Sequence, residues 1–161
     1  RNRKANTLTI SQTGYVNEDC KRFGVQGGPE RTPYAPSQRL DRHEEDKACP
    51  GGVPYREAVG NLVWAALMTR IDIKSPVREV AMYCEEPKIV HWRVVLSILR
   101  WLCSFLERGV CFGGPGACCY MSAYADAGHG PYIEDRRSVT GVVVVFYGGT
   151  ISWMPRTQKI V

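Results

Sequence analysis

The 161 residues are 44% hydrophobic and 23% charged, with 16 Gly and 10 Pro. That length suits one ordinary domain or two small ones, and the apolar share is enough for a core, which excludes a wholly disordered chain. No apolar run reaches the roughly 20 residues of a membrane-spanning helix; the longest candidate is broken by Arg93 and Arg100.

The net charge of +5, from 21 basic and 16 acidic residues, is spread along the chain and permits nucleic-acid binding without demanding it. Arg1-Asn2-Arg3-Lys4 leads into a polar stretch with no apolar run behind it, so no secretory leader is expected. With no initiating Met, the chain reads as a processed or truncated piece of something longer. Seven cysteines are an odd number, and no paired Cys-x-x-Cys motif offers a zinc site. Reduced thiols in an intracellular compartment are therefore expected.

In chain order, Asn6 to Ile10 alternates polar and apolar residues as a strand does. Ser11 or Thr13 then caps a helix through Tyr15, Val16, Cys20 and Phe23, stopped by Gly24. Residues 27–53, rich in Pro and Gly with a charge run from Arg39 to Lys47, read as a long surface loop, either mobile or laid over the fold. Pro54 opens a helix whose Tyr55, Ala58, Val59, Leu62, Val63, Ala66 and Leu67 repeat at three and four residues. Ser75-Pro76 starts a second apolar stripe that runs through Cys84 until Pro87. A third helix is predicted from about Ile89 to Glu107, with Gly109 as its stop. Arg93 and Arg100, seven apart, share one side of it, either as a solvated face or as phosphate contacts.

Gly113-Gly114-Pro115-Gly116 marks the best domain boundary. Beyond it, Cys118–Asp126 and Val139–Tyr147 are strand-like, and Gly148-Gly149 turns the chain into a further strand over Thr150–Met154. A sheet stopping there leaves Val142 to Val145 along an unpaired edge. The tryptophans 64, 92, 101 and 153 sit in apolar patterns and are expected in the core; Cys111, Cys118 and Cys119 are expected to fill strands or core.

Nine short blocks follow one another in a telling order. They are Thr7-Leu-Thr-Ile-Ser-Gln12 with Tyr15; Thr32-Pro33; Pro54-Tyr-Arg-Glu-Ala-Val-Gly-Asn-Leu62; Thr69-Arg-Ile-Asp-Ile73; and His91-Trp92. Then come Ile98-Leu-Arg-Trp-Leu102, Tyr124-Ala-Asp-Ala127, Arg136-Arg-Ser-Val-Thr-Gly141, and Gly149-Thr-Ile-Ser-Trp153 with Gln158. In that order the sequence resembles the Pol polyprotein of copia-type LTR retrotransposons. The resemblance implies an α+β chain: a small helical thumb and connection unit, then the first three strands of an incomplete RNase H-like mixed sheet. It implies a thumb strand and helix over 1–26, the loop over 27–53, a helical connection segment over 54–112 and a truncated RNase H-like domain over 117–161. It also implies a cytoplasmic location, in a virus-like particle, or a nuclear one. The partners it implies are an RNA–DNA hybrid or DNA duplex held through its backbone and the rest of the Pol polyprotein, with no membrane.

Building or cutting a phosphodiester by two-metal chemistry takes several carboxylates converging on one pocket. No Asp-Asp dipeptide occurs in the sequence, so the polymerase centre of the family is absent. Glu18-Asp19 and Glu134-Asp135 read as helix-start or loop residues. Asp126 matches the family's first RNase H aspartate and is the inherited candidate for catalysis and metal contact. The sequence then departs from the family, with Gly128-His129-Gly130 where another Asp and an aromatic are usual. The next catalytic carboxylate is expected beyond Val161. Magnesium is implied for the parent enzyme, and none is expected on this chain alone. His91 reads as a packing or capping group, and His129, between glycines, as unpositioned. Two functions follow: a piece of reverse transcriptase–RNase H inactive by itself, or a non-catalytic binding remnant of a decayed or repurposed retroelement.

Overall fold

Apolar residues at helical spacing build the middle of the chain into four helices: α1 (Thr13–Arg22), α2 (Tyr55–Met68), α3 (Lys74–Ala81) and α4 (Ile89–Ser104). A turn of 3₁₀ helix at Ile71–Ile73 leads into α3, which starts earlier than Ser75-Pro76 suggested. The computed structural model describes residues 1–28, 32–34, 40, 47–128 and 138–158. Five strands complete it: β1 (Thr7–Ser11), β2 (Gly109–Gly113), β3 (Met121–Gly128), β4 (Val139–Phe146) and β5 (Gly149–Thr157). The class is α+β, with two small sheets. No helix among the described residues is long and apolar enough to cross a membrane.

The chain divides into two compact units, Ser11–Arg108 and Arg1–Ile10 with Gly109–Val161. In the helical unit, α1 lies on α4 and α2 on α3, while α4 also touches α2 and α3. Ala58, Leu62 and Ala66 of α2 meet Val77 and Val80 of α3 and Val95, Ile98, Leu99 and Leu102 of α4 in one core. Each fully buried Leu or Ile contributes about 1.5–3 kcal/mol of transfer free energy, so this layer supplies most of the unit's driving force. Described points of the segment before α2 meet the helical unit. Leu40 is buried, and the Tyr83 hydroxyl donates to its carbonyl. The Cys49 N–H donates to Pro87 O at 2.9 Å, and Ile89 N–H to Lys47 O at 3.1 Å.

Three details differ from the sequence expectation. No side chain caps α1 at its N-cap, Gln12; Thr13 instead donates to Leu106 O at 3.1 Å. Glu18 and Asp19 lie within α1, and Asp19 is buried. Trp64 is 49% exposed, because α2 is apolar nearly all round and its buried stripe is Ala58, Leu62, Ala65 and Ala66.

In the β unit, β1 pairs with β2, a strand the sequence pattern did not announce. That pairing brings the first ten residues to the chain's last third, so a boundary falls at Gly109 rather than at the glycines 113–116. Gly113 is required there: its φ is +87°, and a Cβ would lie 2.2 Å from Asn6 O. The other sheet has the order β3-β4-β5, antiparallel throughout. Tyr147 and Gly148, both at positive φ, form the two-residue β4–β5 turn, one position earlier than expected. Gly149 instead begins β5, where a Cβ would strike the Phe112 ring. β4 is the central strand, so Val142 to Val145 are paired on both sides and half-buried, which corrects the unpaired edge. Cys111, Cys118 and Cys119 are exposed and fill no core.

Candidate functional site

The outward strip of α4 begins from how that helix is anchored. The Lys88 N–H donates to His91 Nδ1 at 3.1 Å, and the buried His91 ring stacks on Tyr83 with centroids 3.9 Å apart. His91 thus both packs and caps. Arg93, Ser97, Arg100 and Ser104 then follow at steps of four, three and four, with both arginines exposed. At a rise of 1.5 Å per residue the two guanidinium stems start about 10 Å apart along one face. The Ser104 hydroxyl accepts from Gly28 N–H at 3.0 Å and lies 2.9 Å from Gly28 O, fixing the chain beside this strip. Such a strip can meet phosphates; it holds no acid or nucleophile.

A second polar cluster lies inside. Arg70, 1% exposed, makes a two-pronged contact with Asp72, Nε to Oδ1 at 2.9 Å and Nη2 to Oδ2 at 2.8 Å. Its Nη1 donates to Phe105 O at 2.9 Å, just past the end of α4, and Trp101 Nε1 donates to Asp72 Oδ2 at 2.7 Å. Burial pushes the Asp72 carboxyl up, but the hydrogen bonds from Arg70 and Trp101 and the Arg70 charge hold it below the usual carboxylate range. Two of the blocks that carry the family resemblance therefore meet as one structural joint. Asp72 accepts from both Arg70 and Trp101, so the joint ties the 3₁₀ turn to α4.

Asp19 forms a third cluster, accepting from Asn61 Nδ2 at 2.7 Å beside the Arg22–Glu57 ion pair. Burial raises its carboxyl above the ordinary value, with Glu18 and Glu57 adding to the rise and Asn61 and Arg22 opposing it. An acid with a raised native pKa binds its proton more tightly folded than unfolded, so its charge costs stability as pH climbs through that pKa. Asp19→Asn is expected to raise the urea midpoint at neutral pH. The gain should fade as pH falls through the raised native pKa and be gone below the ordinary carboxylate value, where the wild-type carboxyl is protonated in both states.

Asp126 lies in the β unit, exposed on β3, and its carboxylate accepts the N–H of Ala127 at 2.9 Å. Its register partner on β4 is Gly141, which offers no side chain. Among the described residues, no three His, Cys, Asp or Glu side chains converge to hold a metal ion. They do not by themselves fit a two-magnesium centre. His129 and Glu134-Asp135 lie outside the described residues. The thiols of Cys49 and Cys84 are pushed up by burial, away from nucleophilic thiolate character. The expectation of seven reduced cysteines is corrected at one pair, since Cys20 and Cys103 form a disulfide between α1 and α4.

The chain is similar along its whole length to a retrovirus-related Pol polyprotein from transposon TNT 1-94 of Nicotiana tabacum. The two are 35% identical over 167 residues, covering 100% of this chain and 12% of the polyprotein. The chain is a homologue of the Pol polyproteins of copia-type transposons. A second such polyprotein, from transposon RE2 of Arabidopsis thaliana, is 32% identical over 94% of the chain and 10% of its own length. The chain thus spans about a tenth of these transposon proteins. A secreted RxLR effector protein of Plasmopara viticola is 31% identical over 109 residues, 68% of this chain and 76% of the effector. No family model and no solved structure matches the chain. The protein is of transposon origin.

Proposed function

We propose that the chain is a segment of a copia-type reverse transcriptase–RNase H that handles the primer–template duplex. The observation that carries this is the 35% identity to a transposon Pol polyprotein along the entire chain. The Arg93–Arg100 strip of α4 supplies the contact, two cations on one helix face against backbone phosphates, with no base-specific reading. Strands β3 to β5 are the opening strands of an RNase H-like sheet, with Asp126 at the position of its first catalytic aspartate. In the parent enzyme Asp126 would hold magnesium only together with carboxylates elsewhere in the polyprotein, and the metal would supply charge neutralisation to a phosphodiester. RNA–DNA hybrid or DNA duplex and the rest of Pol are the partners, in a cytoplasmic virus-like particle or the nucleus.

Duplex binding should weaken steeply with salt, because each neutralised phosphate releases counterions. Arg93→Ala with Arg100→Ala should lower the slope of log K against log salt by about two. The isolated chain should not hydrolyse an RNA–DNA hybrid in magnesium. Hydrolysis that disappears in Asp126→Ala would contradict that inactivity.

A repurposed, non-catalytic binding module is the second reading. It is favoured by the chain's match to 76% of a short effector protein, a relative without room for a polymerase. A flat salt response would support this reading over the first.

A further inference from the structure

We propose that the Cys20–Cys103 bond is a redox switch for the Arg93–Arg100 strip of α4. Closed, it holds the chain that follows α1 against Arg100; opened by a small-molecule thiol, it frees that chain and weakens the grip on a duplex. The inference deepens the duplex contact proposed for α4 and rests on that reading.

The chain leaving α1 turns straight back onto the last turn of α4. Val25 N–H donates to Cys20 O at 2.8 Å, and Val25 O lies 3.6 Å from Cys103 Sγ. Gly27 sits so close to that turn that a Cβ on it would lie 3.3 Å from Ser104 N and 3.4 Å from the Cys103 carbonyl carbon. Gly28 N–H donates to the Ser104 hydroxyl at 3.0 Å, and a Cβ on Gly28 would lie 3.9 Å from Arg100 Cδ. Residues 25–28 are therefore a strap with the disulfide at its root and an arginine of the strip at its far end. A guanidinium whose stem is already flanked gives up less rotamer freedom when it meets a phosphate. Arg93, seven residues earlier on the helix, lies beyond the strap's described end.

The bond is placed to open and to form again. Cys20 is 5% exposed and Cys103 is half-buried, so an incoming thiolate meets Cys103 Sγ first. It forms a mixed disulfide there, and Cys20 leaves as a thiolate that takes up a proton. A second small thiol then displaces Cys103 and departs as the small-molecule disulfide, so the protein gains two electrons and two protons. Each new S–H finds a carbonyl within reach, Leu99 O at 3.9 Å from Cys20 Sγ and Val25 O beside Cys103. Partnered thiols add little cost to the reduced core, and the helices keep their packing while the strap loses its covalent root.

The test is fluorescence anisotropy of the full chain with a labelled RNA–DNA hybrid, before and after reduction by dithiothreitol, at a temperature where circular dichroism shows the reduced protein folded. The oxidised chain is expected to bind about threefold to tenfold more tightly. Cys20→Ser with Cys103→Ser should bind as the reduced chain does and ignore the reductant, which excludes a part for the five free cysteines. Arg100→Ala should bind equally in both states, whereas Arg93→Ala should keep the difference. Equal affinities of oxidised and reduced wild type overturn the proposal. A redox difference that survives Arg100→Ala overturns it too, by tracing the effect to general loosening of the unit. Amide exchange reads the strap without any nucleic acid: Val25, Gly27 and Gly28 should exchange faster on reduction, and unchanged exchange there removes the switch while leaving the duplex reading intact. Absence of hybrid binding in both states, with faster exchange in the strap, overturns the duplex reading and the proposed control of it together.

Discussion

Asp72→Ala is expected to cost the helical unit about 3–5 kcal/mol, read as a lower urea midpoint. The magnitude comes from what remains rather than from what is removed. Arg70 is 1% exposed, and two of its donors end on the Asp72 carboxylate. Without that carboxylate the guanidinium keeps Phe105 O and, among the described residues, loses the counterion of its buried positive charge. Trp101 Nε1 loses its acceptor as well. The double replacement Arg70→Met with Asp72→Leu removes both charges and should cost far less than the single one. Acid reports the same joint. The Asp72 carboxyl is held low, so it contributes stability above the ordinary carboxylate pKa and loses it as pH falls through the native value. Wild type should therefore weaken below about pH 4 by more than Asp72→Asn does, the opposite sign from Asp19→Asn. Equal midpoints for wild type and Asp72→Ala would show that the pair carries no stability.

How much of this was legible follows from how far apart the cooperating residues lie. Helices α2 and α4 could be read because their apolar spacing is local, although in α2 the core buries Tyr55, Ala58, Val59, Leu62 and Ala66 of the expected stripe and leaves Leu67 exposed. The 3.6-residue period alone also put Arg93 and Arg100 on one face. Strand β2 could not be read: Gly109-Val-Cys-Phe-Gly113 has no alternation to announce it, and its partner β1 lies about a hundred residues earlier. Val142 to Val145 were legible as a strand but not as the central one, because the place of a strand in a sheet is a property of its neighbours. The Thr69–Ile73 and Ile98–Leu102 blocks were visible as a family signature. Their physical reason, Asp72 between Arg70 and Trp101, emerges once the 3₁₀ turn meets α4. Asp126 was placed on a strand correctly, yet a strand gives one carboxylate and says nothing of partners.

Reduction of the Cys20–Cys103 disulfide is expected to destabilise the helical unit by about 4 kcal/mol, which for a unit of this size lowers the thermal midpoint by roughly 20 °C. The bond ties α1 to α4 across a sequence separation of 83 residues. Closing so long a loop in advance removes much of the unfolded chain's freedom, and that is where the stabilisation arises. α1 is ten residues long, too short to persist alone, and it is held on the core by buried Val16 and Cys20 with Tyr15 packed beside them. Its position at one end of the helical part of the chain makes α1 the element whose exchange the bond should govern most directly, and α1 should loosen first when the bond opens. Amide exchange in reductant should therefore rise over Thr13–Arg22 before it rises over α2 or the interior of α4. Cys20→Ser with Cys103→Ser should match the reduced protein and ignore added reductant. A midpoint unchanged by reductant in wild type would mean that these two thiols are not bonded in solution, and that α1 is held by apolar packing alone.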